Sequence, residues 1–345
     1  MDKQVELPIH VLLRHAVAMG ASDLHLSAGW PPVYRIQGEL QPIGQSLAAS
    51  DLTDAARSLM TAHQWDVFER QRDLDFAYHL PELSRFRVNV YRQSGRVSLA
   101  IRIIRNQVLS LENLALPPVL RTFADAPDGL IVVAGPTGHG KSTTLAAMID
   151  YMNHNQRRHI ITLEDPIEYV YTKGTSVIEQ REVGEDSLSF AAGLRAALRQ
   201  DPDVLLLGEM RDLETMQTAL TAAETGHLVL TTLHTRNTVQ TVERMTDAFP
   251  SSQQRQVRQQ LASVLRGVTC QRLLPRKDNH GRVAVMEVLV NTPAVANLIR
   301  TEQTHQLQTV MQTGRNQGMQ TLDSHLAELT RMGLISQRDI SPYEG

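Results

Sequence analysis

The 345-residue sequence predicts an α/β protein with a smaller α+β domain ahead of its main core. Three observations carry this. The chain is too long for one ordinary core, so two or more domains are expected. From Gly129 onward, short apolar runs alternate with segments of helical spacing, the pattern of a mostly parallel sheet covered on both faces. Before that point the strand candidates alternate apolar and polar residues, as half-buried strands do.

The expected N-terminal domain spans residues 1–105. It opens on an amphipathic helix (MDKQVELPIHVLLRHAVAMG) that lacks the basic start and apolar core of a signal peptide. Ser22–Leu26 alternates like a strand, and Val33–Leu40 reads as another with a turn at Gly38. Asp51–Arg70 has helical spacing, with Ser50 or Asp51 as N-cap. Ser84–Tyr91 and Arg96–Ile104 form a hairpin around Gln93-Ser94-Gly95. Period two puts Arg85 and Arg87 on one face of the first strand, and Arg96 and Arg102 on that of the second. A solvated face explains such charges as readily as a functional one, although arginines without an acid are unusual there.

Residues 106–128 are the expected linker, with Pro117-Pro118 and a short helix from Val119 to Phe123. The main domain, 129–345, starts with the apolar run Leu130–Ala134 and then Gly135–Ser142, GPTGHGKS, which satisfies G-x-x-x-x-G-K-[ST]. A helix follows. Strand, glycine loop and helix stand in the order a phosphate cradle requires. The N–H groups of Thr137, Gly138, His139, Gly140 and Thr143 and the helix N-terminus would supply positive potential. Lys141 would reach the β- and γ-phosphates, and the Ser142 hydroxyl would ligate Mg²⁺. No N-K-x-D follows to select guanine, so ATP is the expected nucleotide.

His159–Leu163, Asp203–Leu207 and His227–Thr232 are three further buried strands. Helices are expected over Ser187–Gln200 and Met210–Thr225, the latter closed by Gly226, and a small hairpin around Lys173-Gly174. From Ser251 the chain reads as helical except for a strand at Arg282–Val290. Ligands of parallel sheets sit beyond the carboxyl ends of the strands, where Glu164-Asp165, Glu209 and His234 fall. Two acids could divide the tasks of hydrolysis. Glu209 would hold Mg²⁺ and Glu164 would act as general base, or the reverse. His227 and His234 bracket the fourth strand. They are seven residues apart, so one or both lie beyond its end.

Composition narrows the class. A formal net charge of -3 gives no general electrostatic reason to bind nucleic acid. Cys270 is the only cysteine, which suits a reducing cytoplasm and excludes a disulfide framework. No apolar run approaches the ~18 residues that would span a bilayer. Any membrane contact is expected to be peripheral, through a partner.

The residues resemble the type II/type IV secretion ATPase superfamily, and within it the PilT-type pilus retraction ATPases. The matching stretches include ASDLHLSAGWPP, SRFRVNVY, GPTGHGKSTTLAAMIDYMN, ITLEDPIEY, EQREVG, LRAALRQDPDVLLLGEMRDLET, TAAETGHLVLTTLHT and GMQTLDSHLAEL, running to about Leu329. The resemblance implies a PAS-like N-terminal domain, a RecA-like core and a homohexameric ring. It also implies an inner-membrane pilus platform protein as partner and a cytoplasmic place at the pilus base. Carried onto this chain, it assigns Lys141 and Ser142 to phosphate and Mg²⁺, Glu164 to the Asp box, Glu209 to Walker B, and His227 with His234 to the His box. Arg87 and Arg102 match arginines that close over ATP. His139 stands where serine is usual, a change expected to be harmless because backbone atoms make the cradle. Ala294–Arg300 reads AVANLIR where the family usually has AIRNLIR, a motif linked to retraction. The tetracysteine zinc site of many assembly and secretion ATPases is absent, which argues for the retraction branch. The alternatives are an assembly or secretion motor, or an accessory nucleotide-binding paralogue with weak hydrolysis of its own.

Overall fold

The computed structural model describes residues 8–36, 38–81, 83–104, 108–278 and 281–336. The chain divides into two compact units, Met1–Gln107 and Val108–Gly345. The expected helix segment 1–7 and the expected boundary at 105–106 lie outside the described residues.

The first unit runs α1 (Pro8–Ala18), β1 (Asp23–Leu26), β2 (Val33–Ile36), β3 (Glu39–Pro42), α2 (Ala49–Leu59) and α3 (Ala62–Gln71). It continues through β4 (Asp73–Leu80), β5 (Ser84–Gln93) and β6 (Arg96–Ile104). The strands form an antiparallel sheet in the order β3-β2-β1-β6-β5-β4. Period two sends Leu24, Leu26, Phe86, Val88, Val90, Leu99 and Ile101 to one face, where Leu13, Leu52 and Phe68 of the helices complete the core.

Three expectations here need correction. The predicted helix Asp51–Arg70 is two helices, because Met60 is extended and Thr61 caps α3 in a reciprocal pair with Gln64. Asp51 is not the N-cap of α2. It lies in the first turn and accepts the Ala48 N–H at 2.8 Å. The strand β4 was not expected, although Leu74, Phe76, Tyr78 and Leu80 carry its period.

In the second unit, α4 (Val119–Ala124) precedes β7 (Gly129–Ala134), α5 (Lys141–Asn155), β8 (His159–Glu164), β9 (Val177–Glu182) and α6 (Phe190–Ala197). Then come β10 (Val204–Leu207), α7 (Leu213–Glu224), β11 (Leu228–Leu233), α8 (Thr238–Asp247) and α9 (Ser251–Val264). The chain ends through β12 (Leu265–Pro275), β13 (Arg282–Val290), α10 (Pro293–Arg300), α11 (Leu307–Thr313) and α12 (Leu322–Arg331). The sheet order is β13-β12-β7-β11-β10-β8-β9, parallel except for the β12–β13 pair. Leu130 to Val133 are wholly buried, each removal from water being worth roughly 1.5–3 kcal/mol. The segment expected as a linker carries Leu111, Leu120 and Phe123 into the same cluster as Ile131 and Met148.

The expected hairpin around Lys173-Gly174 is instead a single strand, β9, parallel to β8. Gly174 packs against Asn153, whose amide donates to the Thr172 carbonyl at 2.8 Å, so the segment follows α5 rather than folding on itself. The C-terminal part is less helical than expected, because β12 is a full strand. Its buried Thr269 and Gln271 break the apolar run that would have marked it.

Candidate active site

The phosphate loop leaves β7 at Gly135 and enters α5 at Lys141. Gly135 has φ +142° and passes so close to β12 that a Cβ would lie 2.3 Å from the Gln271 carbonyl oxygen. Gly140, the N-cap of α5, has φ +81°. Only glycine meets both demands. Lys141 is buried, and its ammonium donates to the carbonyls of Gly135 at 2.8 Å and Pro136 at 3.0 Å. Burial lowers its pKa, while the charges of Glu209 and Glu168 act in the opposite direction.

Parallel register brings the acids to the same end. Leu207 pairs with Leu163 and Thr231, and Leu233 with Ala134, so β7, β8, β10 and β11 finish beside the loop. A cleft of about 510 Å³ opens there, lined by Thr137, Lys141, Ser142, Glu164, Glu209 and His234 among others. His234 ties the groups together. Its Nε2 stands 3.4 Å from Glu209 Oε2, and its Nδ1 lies 3.4 Å from Lys141 Nζ and 3.3 Å from Thr137 Oγ1. The other Glu209 oxygen pairs with Arg211 at 2.7 Å.

Glu164 ends β8. Its Oε1 accepts from Thr162 Oγ1 at 2.7 Å and from Gln180 Nε2 at 3.1 Å. Burial pushes this carboxyl up, and the two side-chain donors with the Glu168 N–H pull it back. Such a carboxylate is suited to take a proton.

A metal fits the donor set. The Ser142 hydroxyl and Glu209 carboxylate are hard oxygen ligands on one cleft. Among the described residues no cluster of three or more His, Cys, Asp or Glu side chains could cage an ion by itself. Mg²⁺ characteristically takes one or two protein ligands and completes its shell with phosphate and water oxygens.

Not every expected residue joins the cleft. His227 precedes β11 at its amino end, with Nδ1 3.0 Å from the Ala222 carbonyl and 3.2 Å from Thr225 Oγ1. The six residues of β11 put it roughly 20 Å from His234, so within this unit it lies outside the cleft and bonds to the end of α7. Arg87 and Arg102 belong to the first unit, where they are direct partners across β5 and β6. Their face is not free of acids as the hairpin alone implied. Asp75 on β4 meets Arg87 at 3.5 Å, and Asp23 on β1 meets Arg102 at 3.0 Å. The His139 ring makes a contact beyond the backbone cradle. Its Nδ1 accepts the Leu273 N–H at 2.9 Å, its carbonyl accepts from Gln271 Nε2 at 2.7 Å, and the loop is thereby pinned to β12. Burial, then the charges of Arg282, Lys141 and Arg272, lower the His139 pKa and keep the ring an acceptor.

Sequence inspection missed Arg282, which lines the cleft with its guanidinium 3.5 Å from the Gly138 carbonyl. Its only signal was a place at the start of an alternating strand. Tyr169 was missed as well. Its hydroxyl meets Thr143 Oγ1 at 2.7 Å and joins the segment after Glu164 to the phosphate-loop helix.

The type II/IV secretion system protein family matches residues 1–339. The chain is 45% identical over 334 residues to the type IV pilus retractation ATPase PilT of Pseudomonas aeruginosa, covering 96% of this chain and 97% of that one. It is 46% identical over 306 residues to a twitching motility protein of Neisseria gonorrhoeae, covering 88% and 82% of the two chains. A crystal structure of the pilus retraction motor PilT with bound ADP superposes with a TM-score of 0.90 at 44% identity, over 97% of this chain and 96% of that one. The second unit therefore has the RecA-like ATPase fold. With the phosphate loop, two acids and a histidine meeting at its strand ends, the chain belongs to the type II/IV secretion ATPase family.

Proposed function

We propose that this chain is the subunit of a homohexameric ATP-hydrolysing motor that powers retraction of type IV pili. One observation carries the proposal: a complete phosphate loop, Glu164, Glu209 and His234 converge on one cleft, in a chain 45% identical to a pilus retractation ATPase. ATP would seat its β- and γ-phosphates over the loop N–H groups and Lys141. Ser142 and Glu209 would hold Mg²⁺, which when bound supplies Lewis-acid charge to the phosphate oxygens. Glu164 would take a proton from the attacking water. His234, between Lys141 and Glu209, would report phosphate occupancy to the acid. Arg87 and Arg102 would bring guanidinium charge to the γ-phosphate, as the resemblance implies.

The motor would work in the cytoplasm against an inner-membrane platform protein. Among the described residues, no helix is long and apolar enough to cross a membrane, which agrees with contact through a partner. The test is complementation of a pilus-bearing strain that lacks its own retraction ATPase. The wild-type chain should restore retraction, and Lys141→Ala should bind ATP at least about tenfold more weakly and fail to restore it. Restoration by neither protein, with ATPase activity intact in the wild type, would refute retraction as the role.

A further inference from the structure

Strand register places three polar side chains on one face beside the cleft. Thr162 on β8 is the register partner of Gln180 on β9. Glu164 is two residues beyond Thr162 and shares its face. The Gln180 amide uses both ends. Its Nε2 donates to Glu164 Oε1 at 3.1 Å and to the Tyr169 carbonyl at 2.8 Å, while its Oε1 accepts the Tyr171 N–H at 3.4 Å. Tyr169 in turn bonds through its hydroxyl to Thr143, the neighbour of Ser142. One amide thus holds a carboxylate, the segment that follows it, and through Tyr169 the start of the phosphate-loop helix.

We propose that Gln180 is a positioning residue for ATP hydrolysis, fixing the Glu164 carboxylate relative to the phosphate loop. The inference rests on Glu164 acting as the base. A side chain at this place must donate to an anion and to a carbonyl with one nitrogen while accepting from a main-chain N–H. Only a primary amide of this length does all three. Glutamate keeps the acceptor and loses the donor, and methionine keeps the shape and loses both. Thr162 Oγ1 and the Glu168 N–H still hold the carboxylate when Gln180 is changed, so the base is displaced rather than released. Displacement by a fraction of an ångström weakens proton transfer while leaving the phosphate cradle whole.

The experiment compares Gln180→Met, Glu164→Gln and the double variant for kcat, KM for ATP, and ADP affinity by calorimetry. Gln180→Met should lower kcat about 10- to 100-fold and leave KM and ADP affinity within about twofold. In the Glu164→Gln background it should add no further loss of kcat. Wild-type kcat in Gln180→Met overturns the proposal. So does a parallel loss of kcat and ADP affinity, which would mean that the amide merely holds the sheet edge together. If Glu164→Gln turns over normally, the base assignment itself fails, an outcome that Gln180→Met alone cannot produce. Should Gln180→Met not fold, Gln180→Glu, equal in size to the native residue, is measured in its place against the same criteria.

Discussion

His234 Nε2 lies 3.4 Å from Glu209 Oε2 while its Nδ1 lies 3.4 Å from the Lys141 ammonium. One imidazole therefore spans the acid that follows β10 and the lysine that begins α5. His234→Ala should lower turnover about tenfold or more, with a smaller effect on nucleotide affinity, because it severs the acid from the loop without removing either. Steady-state rates beside ADP titrations check this. A KM effect with kcat intact would reduce His234 to a binding contact.

Glu164→Gln should bind ATP and fail to hydrolyse it, since the amide cannot accept a proton. Glu209→Gln should instead shift the Mg²⁺ concentration needed for half-maximal rate. Burial raises the Glu164 pKa, so wild-type turnover should decline on the acid side from a pH above the usual glutamate value of about 4.3. A Glu164→Gln protein with wild-type turnover would transfer the base role to Glu209.

Arg87 and Arg102 each have an acid at hand, Asp75 and Asp23, so a purely surface role is a real competitor. Exposed ion pairs contribute about 0–1 kcal/mol, and their loss would barely alter turnover. As guanidinium donors to the γ-phosphate, the arginines should be worth on the order of 10³-fold in kcat. ATPase rate and hexamer content, measured side by side for Arg87→Ala and Arg102→Ala, separate the two. Normal rates in both variants exclude the phosphate role.

His325 on α12 is buried, and its Nδ1 accepts the Met286 N–H of β13 at 2.9 Å. Burial lowers its pKa. Below about pH 6.5 the unfolded chain takes up a proton that the folded chain refuses. Stability is thus fully present above that pH and falls as pH drops toward the lowered folded value. The lowered pKa of His139 adds a contribution of the same sign. The Tm should drop between about pH 7.5 and 5.5, and His325→Asn, which does not titrate there, should show a smaller drop. Equal drops in the two proteins would rule His325 out.

Legibility in the sequence followed burial. The strands β7, β8, β10 and β11 announce themselves because each carries a run of buried, mostly apolar residues, and the residues at or just beyond their carboxyl ends are then easy to single out. Lys141, Ser142, Glu164, Glu209 and His234 were all legible for that reason. The strand β12 was not, because polar Thr269 and Gln271 are buried within it, Gln271 bonding the loop beside it. Gln180 and Arg282 come to the site only through strand pairing, which periodicity does not encode. His227 stands apart. It precedes β11 at the amino end, away from the carboxyl ends where the other expected residues gather.

The bonds that His139 and Gln271 make have a mechanical meaning. Gln271 also accepts from Thr144 Oγ1 at 2.7 Å, so β12 grips both the loop and the first turn of α5. The strand β12 is laddered to β13 over its length, and β13 is bonded through Met286 and Val288 to His325 and Gln320 of the C-terminal segment. An unbroken run of hydrogen bonds thus links α12, through β13 and β12, to the phosphate loop and the start of α5.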